Sequence, residues 1–385
     1  MTVRQYLRGS RFMIRDKATA CGSSFAVMAA ALFLALAASS PAAAFSFGKK
    51  KEPPPAPPPP PPVEAEIPVG PPVLADYVVR QASAYATYMR HASAISSVFP
   101  DGPSVGVALR IGAHSEQHQL QQGVVAYAAI VALQDPTFVS AVRAFASHAS
   151  TRDQMIGYIL ADPSYVMTLG GHDSAAGLIV ATLNGQAAQL KAAADKVKQM
   201  SLDIQLKSQW SKKPVPNPDQ RLMDIKQLSG DPIPADDDLR TQLQQAESGT
   251  SPMPVSGTPV APPYSQAVTR GMALAALAIL GKAGDGNMDY VMPLLVNDND
   301  GYCFNMSKLN LYQCLSVARP YYEDIFCLGV HAMNDTSQCV AGEIGHPSPA
   351  ATAAPVVAAA APSGPGTTTT VSSAGGPITV SSARR

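Results

Sequence analysis

Proline is distributed so unevenly along this chain that it decides where ordered structure can lie. Of the 35 prolines, twelve lie in Pro53–Pro72, ten in Pro214–Pro263 and six in Pro347–Pro377. Proline lacks a backbone N–H and disrupts helix interiors and central strands, so each cluster interrupts regular structure. The predicted division is a helical domain at 73–210, a Pro-rich connecting segment at 211–263 and a helical, disulfide-containing block at 264–343.

Apolar residues recur at three- and four-residue steps through the first block. One series runs from Val78 to Phe99 and another from Ile179 to Val197, which is the spacing of one face of an α-helix. Asp135 and Asp162 each precede a proline, the pattern of an N-cap acid followed by proline in the first turn. No long alternating run of β-branched residues is present. The sequence therefore predicts an all-α, Ala-rich helical bundle.

The second block shows three further helical stretches. Met272–Gly281 is almost entirely apolar, which predicts a helix buried on most sides. Ser307–Arg319 and Pro320–Met333 follow, and Asp173 or Ser174 of the first block is expected to cap a helix in the same manner as Asp135. Since proline tolerates the first turn of a helix, Pro320 is expected to form a corner between two helices.

The N-terminal 44 residues have the pattern of a secretory signal. Basic residues precede an apolar run at Phe25–Ala38, and Ala42–Ala44 offers a small-residue cleavage site before Phe45. The run is shorter than the ~20 apolar residues that a spanning helix needs. We therefore expect a signal peptide at 1–44, with retention as an N-terminal membrane anchor as the alternative.

Two flanking segments are expected to be disordered. The linker at 45–72 is rich in proline, which favours extended polyproline conformations. The tail at 344–385 consists mainly of Ala, Pro, Ser, Thr and Gly, and it has too few large apolar residues to offset chain entropy.

The charge balance argues against nucleic acid as a partner. Without residues 1–44 the chain has 23 basic and 27 acidic residues, a net charge of −4, whereas nucleic-acid-binding domains are basic. It also lacks the polybasic cluster that anionic membranes attract. The expected partner is an unknown envelope protein or cell-wall component, and no integral membrane domain is expected after signal removal.

Four cysteines lie in the second block within 37 residues, namely Cys303, Cys314, Cys327 and Cys339. An even, clustered set in an exported chain predicts two disulfides. The outer pair and the inner pair share a centre near Pro320, so two antiparallel helices hinged there would join Cys303 to Cys339 and Cys314 to Cys327. The local pairing of neighbours remains open, since four cysteines allow three connectivities.

This spacing and nesting are similar to the twin-cysteine helical hairpins of the CHCH proteins. Those hairpins place nine residues between the cysteines of each helix, whereas here ten and eleven residues intervene. The resemblance covers fewer than 40 residues and implies hairpin geometry only. Zinc binding by the four thiolates is disfavoured, because the C-x₂₋₄-C spacing of structural zinc sites is missing.

Two short motifs contain residue types found in enzyme sites. His114 and His118 are four residues apart, which would place both on one helix face, but the HExxH pattern of zinc helices is absent. Gly170–Ser174 contains His172, yet it lacks the G-x-S-x-G elbow of hydrolases. A helix end followed by a new N-cap explains the second motif.

The remaining candidates are acidic. Glu116 and Glu323 are few enough to be considered as paired carboxylates, but nothing in the sequence links them. Asn297–Gly301 places acids and glycine as a calcium loop does, but the first and twelfth loop positions cannot supply carboxylates, so a turn is expected. The sequence assigns no catalytic, cofactor-binding or metal-binding residue and expects no cofactor.

These observations favour a non-catalytic periplasmic protein of the cell envelope, acting as a helical scaffold or as a binding module for an unknown ligand. One alternative is an all-α cell-wall hydrolase. The other is an N-terminally anchored protein whose proline-rich segment forms a periplasmic arm.

Overall fold

Thirteen α-helices account for most of the regular structure of this protein, for which a computed structural model describes residues 69–296 and 301–345. The predicted all-α class is confirmed: among the described residues, β-type pairing is limited to two isolated bridges, Leu74–Ala283 and Pro214–Pro320. The helices are α1 (Asp76–Ser93), α2 (Gly102–Ala113), α3 (Gln117–Ala132), α4 (Pro136–Ala146), α5 (Ala149–Ala161), α6 (His172–Lys207), α7 (Pro218–Leu228), α8 (Asp237–Glu247), α9 (Gln266–Ile279), α10 (Met288–Leu295), α11 (Tyr302–Val317), α12 (Tyr321–Cys327) and α13 (Thr336–Glu343). Short 3-10 helices lie at Pro163–Thr168, Trp210–Lys212 and Asp285–Asn287, and a π-helix at Leu328–Asp335 joins α12 to α13.

The centre of the core is built from small residues that let three helices approach closely. Helix α3 packs against both α1 and α9. A Cβ added at Gly123 of α3 would lie 2.5 Å from the Cβ of Tyr85 in α1, and one added at Gly271 of α9 would lie 2.6 Å from the Cβ of Ala128. Side chains do not tolerate such distances in a close-packed core, so both crossings require glycine.

Helix α9 shows how the two ordered blocks meet. Nearly all of its residues are buried, as its apolar sequence predicts, although it begins at Gln266 and so ahead of the predicted Met272. Its buried residues belong to one continuous apolar cluster that also contains the buried residues of α1, α3 and α6. The segment at 211–263 contributes α7 and α8, of which α8 packs on α1.

Two predicted N-caps are present, although they start different kinds of helix. Asp135 accepts a hydrogen bond of 2.8 Å from the backbone N–H of Phe138 and caps α4. Asp162 accepts one of 2.9 Å from the N–H of Ser164, but it starts the 3-10 helix at Pro163–Thr168. A cap satisfies a free N–H at the start of either helix type.

The predicted cap of α6 is wrong. The helix begins at His172, before Asp173 and Ser174, and the capping position is taken by Gly171 with φ 75°. That left-handed conformation favours glycine. A Cβ at Gly171 would also lie 2.5 Å from the backbone nitrogen of Phe138, so the tight turn brings α6 directly against the start of α4.

The predicted disulfide-linked helical hairpin is present and has a corner at Pro320. Helix α11 ends at Val317 and α12 starts at Tyr321. The stretch that follows differs from the expected single helix, because it widens into the π-helix at Leu328–Asp335 before α13 begins. Within the π-helix, Gly329 lies so close to α6 that an added Cβ would be 2.8 Å from the nitrogen of Lys198.

Several predicted segments lie outside the described residues. These are the signal peptide at 1–44, the linker at 45–72 apart from its last four residues, the turn residues Asn297–Asp300, and the tail at 344–385 apart from its first two residues.

Candidate functional site

A groove between the C-terminal half of α1 and the length of α2 is the candidate site. The chain leaves α1 at Ser93, turns through residues 94–101 and enters α2 after Asp101. Asp101 accepts a 2.9 Å hydrogen bond from the N–H of Ser104, and the Ser104 side chain reaches back to the Asp101 backbone, which forms a capping box. The groove consists of two adjoining cavities that share His91 and Ile111, and we call it the α1–α2 groove.

The larger of the two, the apolar cavity, lies beside the turn that joins the helices. Its volume is about 420 Å³, and its walls are mainly aliphatic and aromatic. Ile95 and Phe99 are buried at its base. Val98 and Val107 at its rim are 68% and 61% exposed, so large apolar side chains face solvent at the entrance. The principal apolar lining residues are Ala94, Ile95, Val98, Phe99, Val107, Ala108 and Ile111.

The smaller, the polar cavity, lies further along the same two helices and has a volume of about 240 Å³. Its lining combines polar and charged groups from α1 and α2 with an apolar wall from α7 and the loop after it. From the apolar cavity to the polar cavity, the lining residues move toward the N-terminus of α1 and toward the C-terminus of α2. The two helices are therefore antiparallel along the groove. The residues lining the polar cavity are Thr87, Tyr88, His91, Arg110, Ile111, His114, Leu228, Ile233 and Pro234.

Most polar groups of the polar cavity are already engaged. His114 Nε2 lies 2.9 Å from the carbonyl oxygen of Pro232, and His91 Nε2 lies 3.1 Å from a carboxylate oxygen of Asp236. Asp236 also pairs with Arg90. Arg110 is exposed, and no hydrogen bond or ion pair joins its guanidinium to any residue of the described ranges.

Tyr88 fixes the floor of the polar cavity. Its hydroxyl donates to the carbonyl oxygen of Ala332 in the π-helix at 2.8 Å and lies 3.2 Å from that of Gly112. Burial raises the pKa of Tyr88 to about 12, so the hydroxyl stays protonated and acts as a donor. An added Cβ at Gly112 would lie 2.5 Å from Cδ1 of Leu328, which shows how closely α2 rests on the π-helix.

The hairpin has a cavity of its own. Its disulfides join Cys303 to Cys339 and Cys314 to Cys327, with Cα–Cα distances of 5.5 and 5.7 Å, which is the nested arrangement of those left open by the sequence. A cavity of about 260 Å³ lies against the inner disulfide. We call it the hairpin cavity, and it is lined by Ser201, Leu202, Gln205, Cys314, Val317, Ala318, Tyr322, Glu323, Phe326 and Cys327.

The histidine pair predicted on one helix face is divided between two elements. Helix α2 ends at Ala113 and α3 starts at Gln117, so His114 and His118 lie on either side of a turn and the prediction is wrong. Ser115 and Glu116 form this turn, and Glu116 accepts hydrogen bonds from the N–H groups at the start of α3. Glu116 satisfies free N–H groups at the start of α3, so a new helix begins between the two histidines.

The hydrolase-like residues at 172–174 also point to different partners. His172 Nδ1 lies 2.8 Å from the hydroxyl of Tyr264, which donates to the carbonyl oxygen of Val260. The Ser174 hydroxyl donates instead to the carboxylate of Asp135, the residue that caps α4. A nucleophile needs its base within hydrogen-bond reach, and these contacts hold neighbouring helices together instead.

The acidic candidates Glu116 and Glu323 accept hydrogen bonds from nearby backbone N–H groups and, for Glu323, also from a tyrosine hydroxyl. Glu323 accepts a hydrogen bond of 2.8 Å from the N–H of Arg319 at the hairpin corner and one from the hydroxyl of Tyr322. Glu116 caps α3. Among the described residues no group of three or more His, Cys, Asp or Glu side chains is placed to hold a metal ion.

Two carboxyl groups with raised pKa lie away from the α1–α2 groove. Burial raises the pKa of Glu247 to about 7, with a smaller contribution from Asp285, although Glu247 accepts a hydrogen bond from the N–H of Leu74. Burial also raises the pKa of Asp324 to about 6, and its ion pair with Arg221 opposes that shift. Both groups join chain segments: the first holds the start of α1 and the second holds α7 against the hairpin.

The sequence prediction missed the α1–α2 groove. Its signal was the composition of α2, which has apolar residues on both faces. Val105 and Leu109 are buried toward the core, while Val107 and Ile111 are exposed. Exposed apolar residues on the outer face of a short helix indicate a surface that a partner or ligand could cover.

Comparisons with protein-family models, with curated proteins and with solved structures found no match for this chain. Within the described ranges, no single helix has both the length and the apolar composition to cross a membrane; α3 and α4 together satisfy that test but bend by 85°.

Proposed function

We propose that this protein is an exported, non-catalytic helical binding module whose α1–α2 groove receives a small apolar ligand. The observation that carries this proposal is the apolar cavity of about 420 Å³ with Val98 and Val107 exposed at its rim. Small-molecule sites are typically clefts of ~300–1,000 Å³ with mainly apolar walls and a few polar groups. The apolar cavity lies within that range, whereas the hairpin cavity lies below it.

Export is supported by two independent features. The N-terminal residues have the order of a secretory signal, and four cysteines form two disulfides. Disulfides persist in oxidising compartments, of which the bacterial periplasm is one. The periplasm is the proposed location because the signal ends in a small-residue cleavage site.

A binding role is favoured over catalysis by what the polar side chains do. His172, Ser174 and Glu323 are each hydrogen-bonded to groups that fix helix ends or helix contacts. The two carboxyl groups with raised pKa do not line the α1–α2 groove. The apolar cavity itself contains the polar side chains of His91, Ser96 and Ser104, which suit recognition of one end of a ligand better than bond cleavage.

Fluorescence titration with a neutral naphthylamine dye, which brightens in apolar surroundings, tests the proposal. The wild-type protein is expected to bind one dye molecule saturably. Val107→Asp places a charge at the cavity rim and is expected to weaken binding at least about tenfold, since the dye would then meet a solvated carboxylate. Val107 is exposed, so folding is expected to tolerate the change.

Val317→Asp is the matched control, because Val317 is equally apolar, is exposed and lies at the hairpin cavity. It is expected to leave the dye affinity within about twofold of wild type. Equal binding by wild type and Val107→Asp, or a loss confined to Val317→Asp, would contradict the proposed site.

Intact mass measurement tests export separately. Protein recovered from the periplasm is expected to lack residues 1–44. Full-length chain in the membrane fraction would instead support the anchored alternative.

A further inference from the structure

We propose that the α1–α2 groove takes a free single-chain amphiphile with an anionic head group, its tail in the apolar cavity and its head at Arg110. The inference rests on the proposed function and specifies its ligand class. It follows from the order in which apolar and charged groups lie along the groove.

The two cavities can hold the two parts of one elongated molecule. They adjoin at His91 and Ile111, which line both. From this junction the apolar cavity extends toward the turn after α1, and the polar cavity extends toward the end of α2. A ligand lying along the groove therefore passes from aliphatic walls at one end to charged and polar groups at the other.

Arg110 gives the polar end of the groove its positive charge. The other cations near it are engaged: Arg90 pairs with Asp236, and His91 contacts the same carboxylate. The Arg110 guanidinium is exposed, lines the polar cavity and pairs with no side chain of the described residues. A guanidinium offers several N–H donors in a geometry that fits carboxylate or phosphate oxygens.

The same residues argue against a bilayer as the occupant. The groove is a cleft between two helices, lined at one end by the turn after α1 and at the other by Ile233 and Pro234, and cavities of about 420 and 240 Å³ suit one small molecule. The exported chain has a net charge of −4 and no polybasic cluster, so an anionic membrane surface would repel it. A single soluble amphiphile meets only the local charge of Arg110.

Three probes with the same tail separate tail recognition from head recognition. Isothermal titration at pH 8 with dodecanoate, dodecanol and dodecyltrimethylammonium, each as a monomer in solution, gives their affinities for the full exported chain. Dodecanoate is expected to bind about tenfold more tightly than dodecanol, because one charge-assisted contact is added. The cationic probe is expected to bind more weakly than dodecanol.

Arg110→Gln is expected to abolish the preference for dodecanoate while leaving dodecanol binding unchanged, and Arg110→Lys is expected to retain part of the preference. Arg143→Gln is the matched control, since Arg143 is an exposed arginine in the last turn of α4, as Arg110 is in the last turn of α2. It is expected to keep the full preference. The thermal midpoint of each variant shows whether it has folded.

The outcomes distinguish this inference from the proposed function. If all three probes bind alike, or if Arg110→Gln keeps the tenfold preference, the head-group assignment is overturned and the binding module stands. If no probe binds, both fail. Sedimentation with phosphatidylglycerol vesicles in the absence of dodecanoate binding would overturn the single-molecule occupant in favour of a membrane.

Discussion

The α1–α2 groove and the hairpin cavity are both apolar clefts with exposed aliphatic rims, yet they differ in what surrounds them. Val98 and Val107 stand at the first, and Leu202 and Val317 at the second. The groove is formed by two helices that are joined by the turn at residues 94–101, and the disulfides of the described residues lie elsewhere, in the hairpin. The hairpin cavity lies directly against the Cys314–Cys327 disulfide.

Their polar groups differ as well. Glu323 lines the hairpin cavity, but its carboxylate is taken by the N–H of Arg319 and the hydroxyl of Tyr322. Arg110 lines the groove with its guanidinium unpaired among the described residues. The comparison teaches that an apolar wall alone does not mark a binding site. A neighbouring polar group left without a protein partner is the feature that separates the groove from a packing defect.

Removal of the disulfides is expected to give the largest effect, and it acts on the hairpin. The outer disulfide closes a longer stretch than the inner one, with sequence separations of 36 and 13 residues. Chain entropy then gives losses of about 4 kcal/mol for Cys303→Ser with Cys339→Ser and about 3 kcal/mol for Cys314→Ser with Cys327→Ser. Urea unfolding monitored by circular dichroism measures both.

Dye binding to the groove is expected to survive the loss of either disulfide at urea concentrations where the protein stays folded, because no cysteine lines the groove. Simultaneous loss of dye binding and hairpin structure in the folded variants would show that the two regions are not separate.

The pH dependence of stability gives the next test of the comparison, because Asp324, whose pKa is raised, belongs to the hairpin. Its folded pKa of about 6 exceeds the usual value of 3.8, so its contribution to stability is fully present below pH 4 and is lost as pH rises through 6. The free energy of unfolding is expected to fall by up to about 3 kcal/mol between pH 4 and pH 7.

Glu247 adds a second, later loss, because its folded pKa of about 7 also exceeds its usual value of 4.5. Measuring Asp324→Asn in a Glu247→Gln background separates the two. A double variant whose stability still falls between pH 4 and pH 7 would contradict the assignment of these carboxyl groups.

The smallest expected effects come from two glycines of α2 that differ in surroundings. Gly112→Ala forces a Cβ to within 2.5 Å of Leu328 on the π-helix and is expected to cost about 1–3 kcal/mol. Gly106→Ala meets nothing within 4 Å and is expected to stabilise the helix by about 0.5–1 kcal/mol. Thermal unfolding compares them. Equal effects of the two changes would mean that α2 does not rest on the hairpin as described.

The fold class was predictable from the sequence because helical periodicity and proline placement are local signals. The buried series along α6, from Ile179 to Val197, lies where the spacing placed it. The symmetry of the four cysteines about Pro320 indicated the nested pairing without excluding the local one, and the structure has the nested pairing. Boundaries set by contacts between distant segments were missed, as at Gly171, whose conformation depends on its approach to Phe138.

The candidate site was not predictable in the same way. His91 belongs to α1 and Arg110 to α2, and nothing in the sequence indicates that these two helices line one groove. The expected shared helix face of His114 and His118 was wrong because Glu116 caps α3, so the two histidines lie on either side of a turn. The sequence signal for the groove was that α2 has apolar residues on two opposite faces. That signal can be interpreted once it is known which face packs on the core.

Amide chemical-shift mapping during a dodecanoate titration tests the central claim most directly. If the α1–α2 groove is the binding site, the largest shift changes will fall in residues 87–114, and Val107→Asp will suppress them. The claim is contradicted if the changes fall instead around the hairpin cavity, at residues 201–205 and 314–327, or if saturating dodecanoate moves no amide in the groove.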